Sequence, residues 1–472
     1  MRDEDSPTVN DFASASADED RPAFHLAVGR RFAEQRRYSD AELSFARAVA
    51  LDPDSAAAQN NLGWVREAQG DEEAALRCYE RALELRPALS VAQVNLATLL
   101  SKMGRDADAE RHWLALAMTS PGNRAILGKV IDAALRAGHL AAASERSEEY
   151  ARLFHGGQAP GTPASPGSGL VHLTIPRLRH DIEQFSYLRA QGVMPDEMTE
   201  FIQRYARVLA VATSQHDTGD RWEMSQSERS EIGSIYNRFV HFRPAQRVGQ
   251  ALSPAWDRTA VEQAYLHHPF GLAVVDDFLS EDALLALRLF CLRSTFWFSN
   301  RHAYGRLGAT FRRGFNCPLV IQVGQELAAA LPRVIGDKHR LLQMWAYKYD
   351  SIQPATSAHA DFAAVNVNFW LTPDEANLDP ASGGMIIYDA EAPMSWDFDS
   401  YNKQGGKITR FLREQSAQSI TVPYRANRAV IFNSDMFHAT QPLRFRDRYE
   451  DRRINVTFLF GSRDRDQRPA TG

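Results

Sequence analysis

The sequence predicts a multidomain chain: an all-α repeat superhelix, a helical spacer, and then a β-sandwich or barrel domain with flanking helices. Three observations predict it. Pro53, Pro87 and Pro121 recur every 34 residues, with small and aromatic residues at matching offsets between them. Apolar residues between 171 and 265 return at three- and four-residue steps, the helical period. From Pro269 onward, short runs of β-branched and aromatic residues are separated by turn residues, the texture of strands. A chain of 472 residues is expected to hold two or three domains.

Residues 1–21 are acidic, with Asp3, Glu4, Asp5, Asp11, Asp18, Glu19 and Asp20 and no periodic apolar pattern, so a disordered tail is expected. The repeat begins at Pro22. Gly29 and Gly63 align, with Ala97 third; so do Ala41, Ala75 and Ala109; so do Phe45, Tyr79 and Trp113. Small residues let paired helices approach, the aromatic fills the gap, and Pro ends the second helix. This pattern closely resembles tetratricopeptide repeats, with NNLGWVREAQGDEEAALRCYERALELRP the clearest unit. The resemblance implies a superhelix over residues 22–155, with three units and a degenerate fourth, Ile126–Phe154, as the cap that such arrays need. Asn61 and Asn95 hold one position on the first helix of adjacent units. In such superhelices that helix lines the concave groove. The two amides are therefore candidates to bind the backbone of a protein or peptide partner, much as the Asn ladder does in O-GlcNAc transferases. A solvated polar face is the alternative, and Ala27 in the first unit would keep the ladder short.

Residues 156–170 are rich in Gly, Pro and Ser and read as a linker stiffened by Pro160, Pro163 and Pro166. In the helical spacer, 171–265, Leu178, Ile182, Phe185 and Leu188 mark one apolar face, and Phe201, Tyr205 and Leu209 another. The adjacent pairs His180-Asp181 and His216-Asp217 lack metal-ligand spacing and read as solvated or capping residues. The segment is expected to brace the last domain or to bridge it to the repeats.

The last domain spans 266–464, before a tail at 465–472. GLAVVDDFLSEDALLALRLF reads as a strand ending at Asp277, then a helix capped by Ser280 with Glu281 and Asp282 in its first turn. Strands follow in LLQMWAYKYD, VNVNFWL, GGMIIYD, SITVPY, RAVIFN, ATQPLRF and INVTFLF. Of the 14 His, His359 alone sits in an H-x-D triplet, with Asp361. Residues i and i+2 of a strand face one way, so both can reach one ion. His438 follows RAVIFN and the turn Ser434–Phe437, and Arg453 opens the final strand. Two imidazoles and one carboxylate can occupy one face of Fe(II) and leave open positions. The bland readings are a chance triplet, a non-redox metal site, and a surface charge at Arg453.

This order resembles the double-stranded β-helix (jelly-roll, cupin-like) dioxygenases that use Fe(II) and 2-oxoglutarate. FGLAVVDDFLSEDALLAL, YDSIQPATSAHAD and RINVTFLF look like the prolyl-hydroxylase branch in particular. The resemblance implies that His359, Asp361 and His438 are iron ligands. It makes Arg453 the partner of the distal carboxylate of 2-oxoglutarate, with Tyr349 a further contact. Arg453 is preferred to Arg452 because it puts Asn455 and Thr457 on its own strand face. A guanidinium matches a carboxylate through two parallel hydrogen bonds. A carboxylate at position 361 fills the place a halide would take, so hydroxylation is implied over halogenation. The stretch NVNFWLTPDEANLDPASGGMIIYD departs from the usual family text, and the insertion Ala390–Ala417, with Trp396, Tyr401 and Asn402, reads as a lid. Asn366, Asn368 and Trp370 share one strand face. Asn368 is a candidate contact for co-substrate or substrate; its alternative role is an amide tying neighbouring strands.

The expected function is an Fe(II)- and 2-oxoglutarate-dependent hydroxylase, with O2 as second co-substrate, acting on a protein or peptide recruited by the repeats. Its 2-oxoglutarate would leave as succinate and CO2. A small-molecule hydroxylase, or a repeat scaffold with an inactive β-domain, are the alternatives. A net charge of −5 gives no basic field for nucleic acid. No apolar run has the length of a membrane span, and the N-terminus lacks the layout of a signal peptide. Cys78, Cys291 and Cys317 form no CxxC, so buried thiols in a reducing cytoplasm are expected.

Overall fold

In the computed structural model of the chain, residues 21–156, 172–302 and 305–463 are described, apart from Pro195 and Glu197. The expected tail 1–21 apart from Arg21, the linker 156–170 apart from Gly156, and the tail 465–472 lie outside them. The chain divides between Ala137 and Gly138 into two compact units.

The first unit is all-helical: α1 (Pro22–Glu34), α2 (Tyr38–Leu51), α3 (Ala56–Gln69), α4 (Glu72–Leu85), α5 (Ser90–Lys102), α6 (Asp106–Thr119) and α7 (Arg124–Ala137). The 34-residue pattern has a direct packing cause. A Cβ at Gly29 would lie 2.6 Å from the Phe45 ring, and one at Gly63 would lie 2.9 Å from the Tyr79 ring. Each aromatic of a second helix thus rests on the bare backbone of the first. Pro53, Pro87 and Pro121 follow the ends of α2, α4 and α6.

The second unit begins with α8 (Leu140–His155), the helix expected to close the repeats. Asn316 donates to the Ser144 carbonyl at 2.9 Å, and the His155 ring stacks on Phe298 at 4.0 Å. The spacer follows: β1 (His172–Leu173), α9 (Ile175–Ala190), α10 (Met198–Gln215), β2 (Trp222–Glu223), α11 (Gln226–Ile232) and α12 (Arg258–His267). It braces the β-region, since Gln184 donates to the Ser294 carbonyl at 3.1 Å. His180 and Asp181 correct the sequence reading: both are 3% exposed, and Arg177 donates to Asp181 at 2.8 Å. A buried guanidinium needs a carboxylate, and the i,i+4 helical spacing supplies one.

The β-region comprises β3 (Leu272–Val275), α13 (Glu281–Arg293), β4 (Ser299–His302), β5 (Arg306–Thr310), α14 (Pro318–Ala330), β6 (Leu341–Tyr349), β7 (Ile352–Gln353), β8 (Ala363–Trp370), β9 (Met385–Glu391), α15 (Phe398–Asn402), α16 (Gly405–Glu414), β10 (Ser419–Val422), β11 (Ala429–Asn433), β12 (Met436–Thr440), β13 (Leu443–Arg444) and β14 (Ile454–Ser462). Ser280 caps α13 by accepting from the Ala283 N–H. A seven-stranded antiparallel sheet has the order β3-β11-β8-β14-β6-β5-β4, and a three-stranded antiparallel sheet the order β10-β9-β12. Trp370, Val430 and Phe432 of the larger share one apolar cluster with Met385, Ile387, Val422 and Met436 of the smaller. The region expected as a jelly-roll is thus two antiparallel sheets with a common core, and neither closes on itself among the described residues. Cys78, Cys291 and Cys317 are free and buried. No helix among the described residues is long and apolar enough to cross a membrane.

Candidate metal centre

His359 and Asp361 lie on the extended segment between β7 and β8, not within a ladder strand. A single antiparallel bridge holds the segment: the His359 N–H donates to the His438 carbonyl at 3.0 Å, and the reverse bond is 2.8 Å. The turn after β11 is only Ser434 and Asp435, so His438 sits inside β12 and not after the longer turn the sequence suggested. The two imidazole centroids are 4.5 Å apart. Asp361 is fixed to that turn by its own N–H, which donates to the Ser434 carbonyl at 3.2 Å. One ligand atom from each of His359, Asp361 and His438 falls within 4.8 Å of the others, the one such group found among the described residues.

Backbone carbonyls orient both rings. His359 Nδ1 lies 3.2 Å from the Ser357 oxygen, and His438 Nδ1 lies 3.0 Å from the Met436 oxygen. A carbonyl only accepts, so each Nδ1 is turned to donate to it, and His438 Nε2 lies 3.5 Å from Asp361 Oδ2. Burial, helped by His438, pushes His359 down to about 4, so it is neutral near pH 7. Burial works to raise Asp361, but the His438 hydrogen bond and the charges of both rings outweigh it, and the carboxyl is held below its usual range. Asn366 Nδ2 also donates to Asp361 Oδ2 at 2.8 Å. Two imidazoles and an ionised carboxylate are a donor set for a divalent cation.

The same core holds a second charged site. Arg453 is 1% exposed, and its guanidinium lies 4.8 Å from the Tyr349 ring, 5.5 Å from Trp370 and 5.9 Å from Tyr424. Its Nε donates to the Gly383 carbonyl at 2.8 Å, while Nη1 and the Trp370 indole N–H are buried without a hydrogen-bond partner. Burial lowers the Arg453 pKa, although Tyr349 and Tyr424 work against it. Tyr349, whose hydroxyl is 3.4 Å from Thr440 Oγ1, is held below its ordinary range. Burial alone would raise it, and the charges of Arg306 and Arg453 prevail. Arg452 is engaged elsewhere. It pairs with Glu183 at 2.6 Å and with Asp350, on the side where α9 packs.

Asn368 lies one residue back from the metal-facing layer: its Nδ2 donates to Asn366 Oδ1, and its oxygen accepts from Asn455 and Thr457. The insertion read as a lid carries α15 and α16 and grips the H-x-D segment. The Ala360 N–H donates to the Tyr401 carbonyl at 3.0 Å, and Asn402 Nδ2 donates to the Ala360 carbonyl at 2.8 Å. Arg306 of β5, whose charge reaches both His359 and Tyr349, escaped the sequence reading because no motif surrounds it. In the first unit Asn61 and Asn95 are linked through Asn60, which accepts from Asn95 at 3.0 Å and lies 3.4 Å from Asn61 Oδ1.

A family model, tetratricopeptide repeat, matches residues 56–89, the span of α3 and α4. Over 71 residues the chain is 42% identical to the mouse protein O-mannosyl-transferase TMTC1, covering 15% of this chain and 8% of that protein. Among solved structures, a MamA protein aligns with 29% of this chain and 78% of its own, at 23% identity and a TM-score of 0.26. YrrB, a TPR protein with an unusual peptide-binding site, aligns with 43% of this chain and 97% of its own, at 12% identity and a TM-score of 0.28. The second TPR domain of human RPAP3, in complex with an HSP70 peptide, aligns with 23% of this chain and 94% of its own, at 19% identity and a TM-score of 0.22. The family match and the glycine-on-aromatic packing at the 34-residue period agree: the helical first unit carries tetratricopeptide repeats.

Proposed function

We propose that the second unit is an Fe(II)- and 2-oxoglutarate-dependent hydroxylase, and that the repeats recruit its protein or peptide substrate. One observation carries the reading: a buried arginine with no carboxylate partner among the described residues lies over Tyr349, Trp370 and Tyr424, members of the same apolar cluster whose Phe432 packs on His438 of the 2-His-1-carboxylate set. An unpaired buried charge is costly, so a fold that keeps one has a use for it. A ligand that chelates a metal at one end and presents a carboxylate at the other answers both halves of the site.

His359, Asp361 and His438 would hold iron, and Arg453 the far carboxylate of 2-oxoglutarate. Tyr349 walls that pocket, and Trp370 offers it an indole N–H. When bound, iron with 2-oxoglutarate and O2 supplies oxidative decarboxylation to succinate and CO2, coupled to hydroxylation of a C–H bond. The residues of the chain do the rest. The aromatic faces around Arg453 exclude water and so strengthen its grip on an anion. The two backbone carbonyls hold both rings at Nδ1 and leave Nε2 as the atom to meet the metal. The partner reading rests on the tetratricopeptide repeat and on its bonded row of Asn60, Asn61 and Asn95.

The decisive experiment is anaerobic. Fe(II) and 2-oxoglutarate are added to metal-free protein and the weak visible charge-transfer band of the chelate is sought. The wild type should show it and Asp361→Ala should not. His359→Ala and Asp361→Ala should abolish 2-oxoglutarate consumption, and Arg453→Ala should raise the concentration required. Iron-loaded wild type without the band would refute the co-substrate assignment.

A further inference from the structure

Behind Asp361 runs a line of buried polar side chains that a three-residue metal site does not itself require. Thr457 Oγ1 donates to Asn368 Oδ1 at 2.7 Å, and Asn455 Nδ2 donates to the same oxygen at 2.9 Å. Asn368 Nδ2 donates to Asn366 Oδ1, and Asn366 Nδ2 donates to Asp361 Oδ2 at 2.8 Å. Exposure is 3% at Thr457, 6% at Asn455, 4% at Asn368 and 0% at Asn366. Strand register builds the line. Thr457 of β14 lies opposite Asn368 of β8, and the two-residue period puts Asn366 and Asn368 on one face.

Leucine and valine would fill this core without any need for partners, so four buried polar side chains are a costly choice, the more so as Asn455 Oδ1 is left without a hydrogen-bond partner. Their direction is the informative part. Every donor in the line points towards the carboxylate. An amide that accepts at its oxygen becomes a stronger donor at its nitrogen, so such a chain reinforces its last bond. That bond holds one oxygen of Asp361 and fixes the rotation of the carboxylate.

We propose that Thr457, Asn368 and Asn366 form a one-way hydrogen-bond relay that positions Asp361 as a metal ligand. Asn368 and Thr457 are positioning residues that act through Asn366. The proposal rests on the metal reading of the site. It also links the two halves of the site, because β14 continues directly from Arg453.

Co(II) binding to the full chain tests it, read by calorimetry and by the visible d–d spectrum, with metal-free melting curves as a fold control. The set is wild type, Thr457→Val, Asn368→Leu, Asn366→Leu and the Asn366→Leu doubles with each of the others. Asn366→Leu should weaken Co(II) binding by roughly 10- to 100-fold. Thr457→Val and Asn368→Leu should weaken it less and alter the spectrum. Each double should bind no more weakly than Asn366→Leu alone, since the relay passes through that residue. Wild-type affinity in both Thr457→Val and Asn368→Leu, or losses that multiply in the doubles, would overturn the relay. Thr457→Val preserves shape, so its cycle stands even if Asn368→Leu fails to fold. A wild type that binds no Co(II) would instead refute the metal site on which the relay rests.

Discussion

Two adjacent arginines, Arg452 and Arg453, have the same composition and opposite consequences. Arg452 is 4% exposed and neutralised by Glu183 and Asp350. Removing it strands Glu183 and leaves Asp350 only the longer pair with Arg179 at 3.7 Å, so Arg452→Met should destabilise the chain by roughly 3 kcal/mol in urea unfolding. Arg453 has no such partner, and Arg453→Met should be neutral or stabilise by about 1 kcal/mol while impairing 2-oxoglutarate binding. Equal destabilisation by the two substitutions would show that Arg453 is a structural charge. Trp370→Phe keeps an aromatic face, though a smaller one, and deletes the orphan N–H. It should weaken 2-oxoglutarate binding to Mn(II)-loaded protein by roughly five- to tenfold, and an unchanged affinity would remove Trp370 from the pocket.

At the scale of elements, the repeat depends on glycine meeting an aromatic ring. Gly63→Val puts its Cβ 2.9 Å from Tyr79, so α3 and α4 must separate. A loss of about 1–3 kcal/mol is expected in thermal unfolding, partly recovered when Tyr79→Leu is added. The candidate metal centre depends on a junction of elements and not on one strand. The H-x-D segment is pinned by β12 on one side and by Tyr401 and Asn402 of α15 on the other. The insertion therefore acts as a clamp on Ala360, the residue between two ligands, where the sequence suggested a lid.

Across the whole second unit, burial of ionisable groups sets the response to acid. His180 is buried among Arg177, Asp181 and Lys348, and burial pushes its pKa down to about 3, the Asp181 hydrogen bond notwithstanding. The unfolded chain binds this proton below about pH 6.5, and the folded chain does so only near pH 3. Stability should therefore fall as pH drops from 6.5, by up to about 1.4 kcal/mol per pH unit from this residue, and level off near 3. Urea unfolding at pH 7 and pH 5 checks it: His180→Asn should show a shallower pH dependence than wild type, and identical slopes would refute the assignment.

The sequence by itself determined what is local and periodic. The repeat was legible because Gly63 and Tyr79 recur at a fixed spacing from Pro87 and interact within one helix pair. The Ser280 cap was legible because capping involves neighbours in the chain. The candidate ligands His359, Asp361 and His438 could be named because H-x-D and a later His carry recognisable spacing, and the fold brings the three side chains together. What only the tertiary structure decided depends on distant partners. Arg452 is separated from Arg453 in role by Glu183 of α9, a contact no local pattern encodes. Asn368 became a link in a relay because β14 supplies Thr457 opposite it. The place of α8 was set by Asn316 and Phe298. Local patterns choose helix, strand and turn, but the cost of burying a charge or an amide is settled only by what the rest of the chain brings to meet it.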